Sequence, residues 1–170
     1  MVYLRADKPP GHLVRALGLP PRSRVLAAAF LPDAATWLIA ASTGFGVAAP
    51  ERVEFHPWDL IERAKLTREG GLLSIVYADS RLTEEFAIQS RDKRFASIVN
   101  ECVRTSVVEV EHVDVPGGQV AVALRRRPSD QSLYLQELPG PGVDPAAAKD
   151  LVKAARARLG EAAGLKTSLW

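Results

Sequence analysis

The sequence predicts an α+β protein built mostly from antiparallel strands, and three observations predict it. Between residues 24 and 89, short apolar runs alternate with Gly, Pro and Asp turns, the pattern of strands joined by tight connections. Residues 90–106 then change period. Phe95, Ile98, Val99, Cys102 and Val103 recur at helical spacing, with Arg94, Ser97, Asn100, Glu101 and Arg104 between them. Beyond this helix the strand pattern returns and a second helical stretch follows. Strand runs closed by an amphipathic helix suggest an antiparallel barrel or a strongly bent sheet, because the apolar helix face needs a surface to cover.

Taken in order, residues 1–9 read as a loose arm and 12–17 as a short helix ended by Gly18 and the Pro20-Pro21 pair. Strands are expected at 24–31, 36–41, 45–49 and 52–56. Their breaks are Pro32-Asp33-Ala34-Ala35, Ser42-Thr43-Gly44 and Pro50-Glu51. Residues 58–66 read as extended in spite of their charges. A Glu69-Gly70-Gly71 hairpin turn leads to strand 72–78, and Asp79-Ser80 leads to strand 82–89, with Phe86 and Ile88 inward. For the helix, Ser90 is the expected N-cap, and Asp92 places negative charge in the first turn. Burying its five apolar side chains stabilises by about 1.5–3 kcal/mol each, as an upper bound.

Residues 107–115, 119–126 and 133–138 then read as a meander with turns at Pro116-Gly117-Gly118 and Pro128-Ser129-Asp130. A Pro139-Gly140-Pro141-Gly142 connector reaches Asp144-Pro145, an N-cap followed by proline at the first helical position. The last helix presents Ala148, Leu151, Val152, Ala155 and Leu159 on one face, with Gly160 or Gly164 as its stop and a frayed end over 165–170. The expected organisation is an arm and short helix (1–23), a barrel with its capping helix (24–106), and a meander plus helix (107–170) packed on the same domain.

The register of the meander's first hairpin carries a sharper expectation. With Gly117-Gly118 as a two-residue turn, Val115 faces Val120 and Val113 faces Val122. Continued unbroken, that register turns Glu111 inward without an evident partner. A β-bulge at Glu111-His112 repairs it, setting Val110 opposite Leu124 and Glu109 opposite Arg125, with His112 near the surface.

The order of elements resembles the bacterial pleckstrin-homology-like (PH-like) domains. The residues that carry the resemblance are Trp37-Leu38-Ile39-Ala40, then Phe45-Gly46-Val47, then His56-Pro57-Trp58-Asp59-Leu60-Ile61, then Gly71-Leu72-Leu73-Ser74-Ile75 and the helix. Similar small proteins of actinobacterial type carry a C-terminal sheet-and-helix extension. The resemblance covers residues 20–106 and implies a half-open barrel of two bent antiparallel sheets capped at one end by the helix. It further implies a module that binds partners at exposed strand edges or beside the helix.

Motifs for other chemistry are weak. The net charge of +2 is too small to imply nucleic acid or a membrane surface. A single cysteine excludes an internal disulfide, and Cys102 reads as a packed thiol rather than a nucleophile. The longest apolar run, 25–31, is far short of a span of about 20 residues, and the N-terminus lacks a signal-peptide core, so the expectation is a cytoplasmic protein. His12, His56 and His112 lack metal-ligand spacing. Thr43-Gly44-Phe45-Gly46 is not followed by a helix and reads as turn chemistry, not a phosphate cradle. Glu84-Glu85 and Glu109/Glu111 read as solvated strand faces.

Basic residues concentrate in the N-terminal arm (Arg5, Lys8, Arg15, Arg22, Arg24), at the helix start (Arg91, Lys93, Arg94) and at Arg125, Arg126 and Arg127. The last three are the candidate interaction patch. PH-like domains that hold phosphoinositides use cations around the first hairpin loop, whereas here that loop has none and carries Asp33. The expectation is a non-enzymatic interaction or scaffold module with no cofactor and no metal. Its partner would be a protein, either a second copy or another chain, with no nucleic acid and no membrane lipid. The alternatives are an anionic-ligand or membrane-surface binder, and an enzyme with an unrecognised site.

Overall fold

The computed structural model describes residues 8–67, 71–80, 82–89 and 92–165. The chain divides into two compact units, Met1–Arg104 and Thr105–Trp170, a boundary two residues before the expected one. It is α+β, and all its paired strands run antiparallel.

The first unit opens with a short helix, α1 (Gly11–Ala16), and continues with β1 (Val25–Leu31), β2 (Thr36–Ala41), β3 (Gly44–Ala49) and β4 (Arg52–Pro57). These four strands form one sheet in sequence order. A 3-10 turn at Trp58–Leu60 replaces the start of the strand expected at 58, and β5 runs only from Ile61 to Leu66. With β6 (Leu72–Tyr77) and β7 (Thr83–Ala87) it makes a second, three-stranded sheet. Backbone pairing does not join the two sheets, so they do not close into a barrel. The helix α2 (Lys93–Ser106) follows. Its expected N-cap, Ser90, and the turn residues Glu69 and Gly70 lie outside the described residues. Asp92 acts at this end, where its carboxylate accepts from the Gln89 amide at 3.2 Å.

Both sheets and α2 meet in one core centred on Phe45. Its ring stands 5.8 Å from Phe86, 6.4 Å from Trp58 and 6.5 Å from Phe95, in tilted or edge-on arrangements that such rings favour. Phe95, Val99 and Val103 are buried there with Ile75, Phe86 and Ile88, as the helical spacing predicts. Trp58 is also held by its indole N–H, which donates to the Ala41 carbonyl at 2.9 Å. Gly44 is the first residue of β3, not part of the break expected at Ser42-Thr43-Gly44, and Gly46 lies within the strand as expected. A side chain at Gly46 would stand 2.7 Å from Leu17, the buried residue that ends α1 and seats against the sheet at this point.

The second unit contains β8 (Val107–Val115), β9 (Gly118–Arg126), β10 (Leu133–Pro139) and α3 (Pro145–Ala162), with β9 central in the sheet. Asp144 caps α3 by accepting from the Ala146 amide at 2.9 Å, with Pro145 as its first residue. The stop is Gly164, at φ +66°, while Gly160 lies buried inside the helix. Ala148, Val152, Ala155 and Leu159 pack on Val120 and Val122, a core separate from that of the first unit. Leu151, expected on this face, is exposed.

The hairpin register differs from the expectation. Val115 pairs with Gly118, so the two-residue turn is Pro116-Gly117. Proline followed by a glycine at φ +88° is the pairing a type II turn requires, and a side chain at Gly117 would meet the Gly142 carbonyl at 2.6 Å. Pairing then runs without interruption through Glu111, opposite Val122, and Glu109 faces Leu124. The irregularity falls between Val107 and Glu109 instead of at Glu111-His112. The expectation failed because Glu111 has a partner that local spacing could not reveal: the guanidinium of Arg158, from α3, hydrogen-bonds to both of its oxygens. His112 is exposed, as expected.

Candidate functional site

Three places in the described residues gather functional side chains or leave backbone open. The first is a polar network at the rim of the first unit. On β4, Arg52, Glu54 and His56 alternate with Val53 and Phe55, and register puts Glu54 beside Val47 and His56 beside Phe45. All three therefore share the core-facing side of the sheet. Arg52 donates to Glu54 and to Glu84 of β7, each at 2.6 Å. Tyr77 donates to the other Glu84 oxygen at 2.7 Å, and the His56 ring lies 4.4 Å from the Tyr77 ring.

The electrostatics of this network follow from that geometry. The hydrogen bond from Arg52 holds the Glu54 carboxyl below its ordinary value. Burial pushes Glu84 upward, but hydrogen bonds from Arg52 and Tyr77 outweigh it and hold it low. Burial and the neighbouring Glu84 carboxylate push the Tyr77 phenol far up. Two carboxylates kept ionised and a phenol kept protonated are poorly poised to exchange protons near neutral pH. What the arrangement does well is mechanical. Arg52 ties the edge strand β4 of one sheet to the edge strand β7 of the other, where no backbone pairing joins them. Glu84 is thus not the solvated residue expected, although its neighbour Glu85 is exposed.

The second place is the arginine triplet, which does not form one patch. Neighbouring strand residues point to opposite faces, and Arg125 is 1% exposed. Its guanidinium donates to Gln136 at 3.0 Å and to Ser106 at 2.8 Å. Arg126 and Arg127 are exposed, with Arg127 4.5 Å above the Tyr134 ring. Nor do other expected groups converge on a ligand. His12 lies on α1, His56 on β4 and His112 on β8, and among the described residues no three His, Cys, Asp or Glu side chains could hold a metal ion. Cys102 is half-buried, and burial with Glu101 nearby pushes its thiol up, away from the reactive thiolate. No described helix is long and apolar enough to cross a membrane.

The third place is the edge strand β1, which carries no motif and which sequence reasoning passed over as one strand among several. Its residues, Val-Leu-Ala-Ala-Ala-Phe-Leu, contain neither charge nor proline. Among the described residues it pairs only with β2, so one side of its backbone has no described strand partner, and Val25 and Leu26 are 40% and 46% exposed. The signal was available: every other edge strand described (β4, β5, β7, β8 and β10) carries at least one charged residue. No protein-family model, no curated protein and no solved structure matches this chain.

Proposed function

We propose that the chain is a non-enzymatic, PH-like interaction module that accepts an extended strand of a protein partner along β1. A four-stranded sheet, a three-stranded sheet and a following helix support the PH-like reading, with the half-open side clasped by Arg52. One observation carries the binding role: β1 is the single uncharged, proline-free edge among the described strands. Edge strands normally carry charges, proline or bulges because their unpaired N–H and C=O groups template another strand. β1 has only a bulge near its start, between Val25 and Ala27, so residues 27–31 remain regular. Strand addition supplies affinity through main-chain hydrogen bonds and specificity through alternate side chains.

A lysine at the middle of β1 tests this. The immobilised chain should capture a specific protein, lose it on Ala28→Lys and keep it on Lys149→Glu, a change on the exposed side of α3. Equal capture by both variants would place binding elsewhere.

A further inference from the structure

Among the described residues the two sheets of the first unit share no backbone pairing, and Arg52 of β4 reaches across to Glu84 of β7. We propose that this side-chain clasp is a latch: on release the two sheets part along the β4–β7 seam, in a local opening that leaves the rest of the unit folded. The other hydrogen bonds of the network stay within one sheet. Arg52 to Glu54 lies inside β4, and Tyr77 to Glu84 joins β6 to β7. Arg52 to Glu84 is the hydrogen bond that crosses the seam, beside the ring contact of His56 with Tyr77. Phe45 and Phe86, 5.8 Å apart, form the apolar contact between the same two sheets.

The clasp sits near balance. Closing it gains a charge-assisted hydrogen bond to Glu84, but both side chains are partly exposed, where such pairs hold weakly. The closed arrangement also buries the Arg52 Nε–H, which finds no acceptor among the described residues. A desolvated donor costs about as much as a hydrogen bond contributes. On release Arg52 keeps Glu54 as its partner on the same strand, and Nε returns to water, so no charge is left stranded. Two arrangements of one side chain, close in free energy, are what a switchable element requires. The latch lies on the edge of the four-stranded sheet opposite β1 and is independent of the binding role given to that strand.

Thiol labelling of the full chain in a Cys102→Ser background at neutral pH tests this. Val47→Cys places a probe opposite Glu54 on the core-facing side of the sheet, and Ala29→Cys places one in the same core on β1, at the far edge. Both native residues are 2% exposed, so labelling at either position requires opening. Arg52→Met should speed labelling at position 47 at least about tenfold and leave position 29 within about twofold. Glu84→Gln, which still accepts from Tyr77, should act in the same direction, and adding it to Arg52→Met should bring no further gain because both remove one contact. Equal acceleration at the two positions would mean general destabilisation and would overturn the latch. No acceleration at position 47, or additive effects of the two substitutions, would overturn it as well.

Discussion

The two units cover a sheet face with a helix by opposite means. The first packs four aromatic rings, Phe45, Trp58, Phe86 and Phe95, where α2 meets its sheets. The second brings α3 onto its sheet through Ala148, Val152, Ala155 and Leu159 against two valines. Large rings concentrate stability in few residues, whereas small side chains spread it over a close approach. The polar groups follow suit. In the first unit a short arginine network sits at the rim, and in the second Arg158 reaches from the helix to Glu111 on the sheet.

The sharpest way to break this comparison is truncation of one ring. Phe95→Ala should cost about 3–5 kcal/mol in a denaturant titration, and Leu159→Ala, in the thinner core, about 2–3 kcal/mol. A cost below about 1 kcal/mol for Phe95→Ala would mean the rings do not carry the first core. Next in size is the arginine pair on β9. Arg125→Ala should cost about 1.5–3 kcal/mol through lost charge-assisted hydrogen bonds, and Arg126→Ala no more than about 0.5 kcal/mol. Equal effects would contradict the burial of Arg125.

Acid should act on the rim network. The carboxyls of Glu54 and Glu84 are depressed in the folded unit, so the unfolded chain takes up protons first as pH falls. Their contribution is full above the ordinary glutamate value of 4.5 and is lost as pH drops through the folded values. Stability of the wild-type chain should therefore fall more steeply below about pH 4.5 than that of Arg52→Met. Parallel pH profiles would remove Arg52 as the cause. The smallest expected signal concerns lipid. The first hairpin turn, a 3-10 turn at Pro32–Ala34, offers Asp33 and no cation. Sedimentation with phosphoinositide vesicles at about 0.15 M salt should be negligible, and headgroup-selective binding would favour the anionic-ligand reading instead.

Much of the fold was legible because period and turn chemistry act locally. The spacing of Phe95, Val99 and Val103 located α2 and its buried face, and Asp144-Pro145 located the start of α3 to the residue. What was not legible depends on residues far apart in sequence. Glu111 looked unpartnered until α3 supplied Arg158, and that absence displaced the expected bulge. Gly44 looked like a turn residue because nothing local announces that His56 and Phe55 of β4 close on it. The same limit hid the rim network. The alternation of Arg52, Glu54 and His56 was visible, but not that Glu84 and Tyr77 would meet them. The β1 edge was hidden differently: its residues say strand, and only the sheet order shows that it is unpaired on one side among the described residues.

The central claim, that β1 is the binding edge, is tested most directly by amide hydrogen exchange across Val25–Leu31 with and without the protein that the immobilised chain captures. β1 amides should become protected when that protein is bound, while those of the charged edge β4, Arg52–Pro57, stay unchanged. Exchange in β1 that the bound protein leaves unaltered, or protection that appears in β4 instead, would contradict the account.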